Sequence, residues 1–177
     1  MSGFVVWFTG LSGAGKTTVA NIVEAELEQR GHVVDHLDGD IVRTHLSKGL
    51  GFSKEDRDAN IHRIGWVASR VARAGAAVIV SAISPYEDAR RHARSLVEPH
   101  TPFIEVYVAT PLEECARRDP KGLYAAAFAG EIADFTGVSA PYEEPSSPEI
   151  RIATTGVSPS ESAQAVLEQL ERMAVTA

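Results

Sequence analysis

A chain of 177 residues, 44% of them hydrophobic, is long enough to bury one sizeable core and short for two. With 17 Lys and Arg against 24 Asp and Glu the net charge is −7, which disfavours a general attraction to nucleic acid or to an anionic membrane and points to a small ligand whose anion site is built locally. The lone cysteine, Cys115, cannot close an internal disulfide, there is no charged start followed by an apolar leader, and the apolar run from Ala74 to Ile83 is too short to span a bilayer, so a cytoplasmic protein with no membrane partner is expected.

Taken in order, Val5 to Thr9 reads as a buried strand, and Gly10-Leu11-Ser12-Gly13-Ala14-Gly15-Lys16-Thr17-Thr18 follows it. Gly10, Gly15, Lys16 and Thr17 satisfy the spacing G-x-x-x-x-G-K-[ST]. In that arrangement loop amides surround a nucleotide's phosphates, the lysine reaches the outer phosphates and the hydroxyl meets Mg²⁺. A chance match in a Gly/Ser-rich loop would predict no particular neighbours. Here a strand precedes the loop, and Val19, Ile22, Val23 and Leu27 form a helical stripe after it, so the helix aims its positive end at the anion.

That helix stops near Arg30-Gly31. Val33 to Leu37 reads as a second strand leading to Asp38-Gly39-Asp40, two carboxylates at a strand's carboxyl end. His32 and His36, on an extended segment, lack metal-ligand spacing. Ile41 to Leu46 predicts a short helix. Ser53 with Asp56 predicts a capping box opening a long helix to Ala74, its core stripe made by Ile61, Ile64, Ala68 and Val71. Arg57 and Asn60 fall within the same arc, where burial is costly without a partner. An anionic ligand is one such partner, an internal salt bridge to Asp38 or Asp56 the other. An arginine held for a ligand would leave the empty protein no less stable when removed.

Ala76 to Ser81 reads as a strand covered on both faces, and Ser84 before Pro85 reads first as an ordinary helix N-cap. Phe103 to Val108 predicts a strand, Pro111 to Arg118 a helix, Ile150 to Ile152 a short last strand, and Ser160 to Met173 a last helix. Strands alternating with helices give an α/β fold, a parallel sheet flanked by helices on both faces, over a single domain of residues 1–177. The stretch of about 119–149, irregular and rich in Pro, Gly and aromatic residues, is expected to be a lid.

These segments together resemble the adenylyl-sulfate kinase family of P-loop kinases. The resemblance runs from about Val5 to Ile152 and is carried by the loop above, Leu37-Asp38-Gly39-Asp40 with Arg43, Leu50-Gly51-Phe52-Ser53, Asp56-Arg57, Asn60-Ile61, Ile83-Ser84-Pro85-Tyr86, Arg118 to Tyr124, and Phe135-Thr136-Gly137. It implies phosphorylation by ATP, with Mg²⁺, of the 3′-hydroxyl of adenosine 5′-phosphosulfate. It further implies that Arg43, Arg57 and Asn60 hold the phosphosulfate, that Phe52 and Phe135 stack on its adenine, that Ile83 and Ser84 line its site, that Lys121 belongs to the lid, and that Arg118 lies over the ATP site. The family's serine at Ser84 has been considered a phosphoryl carrier, although in-line transfer needs no covalent intermediate.

Within that scheme Lys16 and the loop bind ATP, and Thr17 and Asp40 are the expected Mg²⁺ ligands. Asp40 is the candidate to accept the hydroxyl proton and Asp38 its alternative, with a metal-water role for whichever is not the base, against a reading in which both only cap a helix. His62 and Trp66 stand where arginine and glutamate are more usual. Trp66, opposite its helix's core stripe, is covered either by this chain or by a second subunit, and the family implies a homodimer and a functional partnership with ATP sulfurylase. Rival readings are another small-molecule P-loop kinase, a silent nucleotide-binding subunit of a sulfate-activating complex, and a nucleic-acid kinase, which the net charge disfavours.

Overall fold

A computed structural model describes residues 2–176. Its elements in chain order are β1 (Phe4–Thr9), α1 (Lys16–Gln29), β2 (Val34–Asp38), α2 (Gly39–His45), α3 (Lys54–Arg73), β3 (Ala77–Ser81), α4 (Glu87–Val97), β4 (Phe103–Val108), α5 (Leu112–Arg118), α6 (Leu123–Phe128), β5 (Ile150–Ile152) and α7 (Pro159–Arg172). The five strands form one sheet in the order β2-β3-β1-β4-β5, every pairing parallel. As expected from the alternation of strand and helix, this is an α/β domain with a parallel sheet between two helical layers.

β1 explains why two layers are needed. All six of its residues are buried, and alternate side chains feed opposite cores. Phe4, Val6 and Phe8 pack with Val19, Val23 and Leu27 of α1 and Val166 and Leu170 of α7. Val5 and Trp7 pack on the other face with Ile61, Ile64 and Ala68 of α3 and Ala93 and Val97 of α4. Each fully buried large apolar side chain contributes about 1.5–3 kcal/mol relative to exposure, so the central strand anchors both layers. The crossing of α3 on α4 depends on Gly65, where a Cβ would lie 2.7 Å from that of Ala93.

Several sequence boundaries move. β2 runs from Val34 to Asp38, one residue later than expected, with Val33 left 74% exposed on the edge side. Within α3, Val71 is only partly buried and Gly65 and Ala72 join the stripe instead, because a 20-residue helix drifts against any four-residue template. Ser53 caps α3 by accepting from the Asp56 amide, but the Asp56 carboxylate does not return to it. That carboxylate accepts from the Gly51 amide at 2.8 Å, so the expected capping box is half formed and its other half pins the preceding loop. α7 opens one residue earlier than expected, at Pro159, behind a reciprocal Ser158–Glu161 capping box that the sequence contained but periodicity alone passed over. Among the described residues no helix is long and apolar enough to cross a membrane.

Candidate functional site

The loop Gly10 to Gly15 leaves the central strand, and the strand order places it at the carboxyl edge between the two halves of the sheet, where doubly wound folds open their ligand crevice. Gly15 precedes α1 with φ of 104°, a left-handed conformation that a side chain would strain, and no side chain caps the helix. Its first amides are therefore available to an anion. Lys16 is buried and donates to the carbonyls of Gly10 at 3.0 Å and Leu11 at 2.7 Å. Burial pushes its ammonium down to about 8, the charges of Cys115 and Lys121 and of Asp38 and Asp40 making smaller adjustments.

A cavity of about 590 Å³ opens beside this loop. Of the residues singled out from sequence, Ser12, Gly13, Gly15, Lys16, Thr17, Thr18, Asp38, Asp40, Arg43, Phe52, Arg57, Asn60, Ile83, Ser84, Arg118, Lys121 and Phe135 line it. Gly10, Leu11 and Ala14 do not. Gly10 and Ala14 are buried beneath the loop, and Leu11 faces a second depression of about 710 Å³ behind residues 137–142, lined also by Tyr107, Tyr142 and Arg151. The larger depression contains none of the other phosphate-loop residues, so the chemistry belongs to the smaller one.

The two aspartates separate clearly. The register Asp38↔Ser81 at the end of β2 brings Asp38 to the first turn of α1, where its Oδ2 accepts from Thr17 Oγ1 at 2.8 Å and Ser81 Oγ at 3.0 Å. Its Oδ1 accepts from the Asp40 amide at 2.9 Å and caps α2. Burial alone would raise the Asp38 carboxyl, but the bonds from Thr17, the Asp40 amide, Ser81 and the Ile41 amide outweigh it and hold it below the ordinary carboxylate range. Asp40 caps nothing. Its side chain is 77% exposed and pairs with Lys121. The carboxylate bonded to the Thr17 hydroxyl is Asp38 and not Asp40, because strand pairing, which local sequence does not specify, fixes it there.

Around the far end of the cavity, Phe52 lies between two guanidiniums, with Arg43 Cζ 4.5 Å and Arg57 Cζ 5.5 Å from its ring centre. Arg43 donates to the Gly51 carbonyl at 3.0 Å. Arg57 and Asn60 are buried, as their helical phase predicts. Neither suggested salt bridge of Arg57 exists. Its Nε donates to the Phe52 carbonyl at 2.7 Å, Nη1 to Thr136 Oγ1 at 2.9 Å and Nη2 to the Asp134 carbonyl at 2.5 Å, so neutral oxygens partner it, two of them from a distant segment. The Asn60 Oδ1, by contrast, is buried without a partner among the described residues and lies at the cavity wall. Phe135 packs edge-on against Tyr124 at 5.0 Å, and the Tyr124 hydroxyl donates to the Ser12 carbonyl at 2.8 Å, tying α6 to the phosphate loop.

Ser84 is not an N-cap. α4 begins at Glu87 after Tyr86, and the Glu87 amide is met by the Glu143 carboxylate at 2.8 Å. Ser84 is buried at φ of 43°, its hydroxyl accepting from Trp7 Nε1 at 3.1 Å and donating to the Ala82 carbonyl at 3.2 Å. The reading failed because Ser-Pro is a local signal and Trp7 is 77 residues away. Thr154 was missed altogether. Its hydroxyl and that of Thr110 lie 2.7 Å apart and each 2.9 Å from the Ala14 carbonyl, and it accepts from Arg118 at 2.8 Å, a brace beneath the loop with no local motif beyond its place after a strand.

The sequence model of one family, adenylylsulphate kinase, matches residues 2–153. This chain belongs to the adenylylsulphate kinase family. An adenylyl-sulfate kinase of Halothermothrix orenii is 54% identical over 96% of this chain and 90% of its own length. A probable bifunctional SAT/APS kinase 2 of Sorangium cellulosum is also 54% identical over 98% of this chain, which spans 29% of that longer protein. The structure of the Mycobacterium tuberculosis APS kinase CysC in complex with AMPPNP and APS superposes with a TM-score of 0.92 at 47% identity, covering 96% of this chain and 98% of that one.

Proposed function

We propose that this chain transfers the γ-phosphoryl group of ATP to the 3′-hydroxyl of adenosine 5′-phosphosulfate, giving 3′-phosphoadenosine 5′-phosphosulfate and ADP. The observation that carries the proposal is that one cavity joins the phosphate loop to a second group of residues that line it: two aromatic side chains, Phe52 and Phe135, the guanidiniums of Arg43 and Arg57, and the unpartnered amide oxygen of Asn60. A bare nucleotide-binding module would need only the first half.

Each residue then has a task. Lys16 and the loop amides hold the β- and γ-phosphates, and Arg118 closes the nucleotide side. Thr17 Oγ1 and Asp38 Oδ2, 2.8 Å apart, are an all-oxygen pair of the kind that Mg²⁺ accepts when nucleotide phosphates and water complete its shell. The ion would neutralise phosphate charge as the bond to the leaving oxygen breaks. Phe52 and Phe135 stack on the acceptor's adenine, while Arg43, Arg57 and Asn60 face its phosphosulfate. Asp40 accepts the hydroxyl proton: Asp38 has its oxygens occupied and its basicity lowered, whereas Asp40 has only Lys121 to exchange for substrate. Within residues 119–149 the lid is the stretch around Lys121, whose side chain bonds only to Asp40 among the described residues, whereas Phe135 stands on a turn that Arg57 holds at Asp134 and Thr136. Ser84, with its hydroxyl bonded on both sides, serves the cavity wall and not as a carrier.

Trp66 is 57% exposed on α3, with Arg70 Cζ 5.7 Å from its ring, so nothing in the described chain covers it and a homodimer contact is the reading we favour. An adenylyl transfer to sulfate, the ATP sulfurylase reaction, must supply the acceptor. The test is direct: incubate the protein with ATP, Mg²⁺ and adenosine 5′-phosphosulfate, follow ADP and the 3′-phosphorylated product, and offer shikimate, gluconate and AMP as competing acceptors. ADP formation with one of those and none with adenosine 5′-phosphosulfate would replace the substrate; ATP binding without turnover would replace the activity.

A further inference from the structure

Arg90 is 2% exposed, and every part of its fork is used. Nε donates to Glu105 Oε1 on β4 at 2.9 Å, Nη1 to the Ser84 carbonyl at 2.7 Å, and Nη2 to the Glu143 carbonyl at 2.8 Å. Glu105 neutralises the charge; the other two bonds join segments 59 residues apart in the chain to one rigid group. Ser84 is held at φ of 43°, a conformation that a serine keeps only when its surroundings impose it. Those surroundings are Arg90 on its carbonyl and Trp7 on its hydroxyl. A second strap runs parallel: the Tyr142 hydroxyl lies 2.9 Å from Thr9 Oγ1, which donates to the Ile83 carbonyl at 2.7 Å.

The far segment has hydrogen bonds of its own between these holds. Residues 135–140 close on themselves, with the Ala140 amide bonded to the Phe135 carbonyl at 3.0 Å and the Gly137 amide to the Ala140 carbonyl at 2.8 Å. Arg57 grips one end of it at Asp134 and Arg90 the other at Glu143, so two buried guanidiniums from adjacent helices bracket the turn that presents Phe135 and Thr136 to the cavity.

We infer that Arg90 is a positioning residue for the acceptor end of the cleft, fixing the Ile83-Ser84 wall and the Phe135-Thr136 turn at one spacing from outside the cavity. The inference rests on the proposed function for the identity of the acceptor, but not for the geometry. Arg90→Lys keeps the charge opposite Glu105 and removes the fork. It should lower kcat/KM for adenosine 5′-phosphosulfate at least tenfold while the KM for ATP stays within twofold, and the indole N–H resonance of Trp7, which reports the Ser84 wall, should shift while that of Trp66 does not. A purely structural role would lower the melting temperature and leave both ratios and the Trp7 resonance as in wild type. Arg90→Met with Glu105→Leu, which withdraws both buried charges together, is read in the same way should the lysine variant not fold. An acceptor kcat/KM within twofold of wild type, equal losses for both substrates, or an unmoved Trp7 resonance in a folded variant would overturn the inference. If the wild-type protein does not phosphorylate adenosine 5′-phosphosulfate, the proposed function falls and the Trp7 resonance still decides the role of Arg90.

Discussion

Asp38 and Asp40 are separated by one glycine and have opposite surroundings, so substitutions should have opposite signatures. Asp40→Asn should keep ATP binding and lower kcat by roughly 10²–10⁴, the loss expected for a general base. Asp38→Asn should weaken Mg²⁺·ATP binding, because the amide has no negative charge and only one accepting oxygen for donors that now meet two, Thr17 and Ser81 on one and the Asp40 amide on the other. Steady-state kinetics on the two variants, with ATP and the acceptor varied separately, check both; a large kcat loss confined to Asp38→Asn would reverse the assignment. Ser84→Ala should cost stability more than chemistry. It strands the buried Trp7 Nε1 donor, a loss of about 1–3 kcal/mol, and thermal unfolding should register it while kcat stays within about tenfold of wild type.

At the scale of elements, α3 carries both a site and a joint. Because Arg57 donates to three oxygens of the surrounding protein, Arg57→Ala should lower the stability of the empty protein by at least about 1.5 kcal/mol as well as raise the KM for adenosine 5′-phosphosulfate. That reverses the expectation of an unchanged or more stable empty variant: the ligand is not the residue's only partner. Denaturant unfolding without substrate is the check. One turn along, His62 rests 4.1 Å from His92 of α4. Burial, and after it the neighbouring His92, lower the His62 imidazole below its ordinary value of about 6.5; Asp58 opposes them and Lys54 adds least. The unfolded chain therefore binds this proton more readily than the folded one, and stability present above that ordinary value is lost as pH falls through it toward the folded value. His62→Gln should flatten this part of the stability profile; an unchanged slope would assign it to other groups.

Taken whole, the molecule spends buried polar groups on its ligand site, and ligand should return that stability. With Mg²⁺·ATP at 100 times its Kd, mass action adds about 2.7 kcal/mol, which for a domain of this size raises Tm by roughly 5–10 °C. Lys16→Ala should abolish this shift and most turnover, yet leave the unliganded Tm at or above that of wild type, since a buried ammonium is removed. Scanning fluorimetry with and without nucleotide separates the two effects. A lowered unliganded Tm with the nucleotide shift retained would mean that Lys16 supports the fold and not the phosphates.

Local chemistry was sufficient for much of this protein. The phosphate loop announces itself through glycine spacing and a flanking strand, β4 through a mainly apolar run, β5 through the alternation of Ile150, Arg151 and Ile152, and the inward phase of Arg57 and Asn60 through helical periodicity, all of which depend on residues a few positions apart. The second half of the site was legible as a family resemblance and not as chemistry, because Phe52 and Phe135 come to one cavity only when the chain has folded. What tertiary structure alone decided were the partners: Asp38 and not Asp40 beside Thr17, Trp7 and not a helix amide on Ser84, neutral oxygens of residues 134–136 on Arg57, and Thr154 under the loop. A side chain's type and phase are written locally, but the atom that satisfies its hydrogen bond is chosen by strand register and helix packing, which bring together residues that are tens of positions apart.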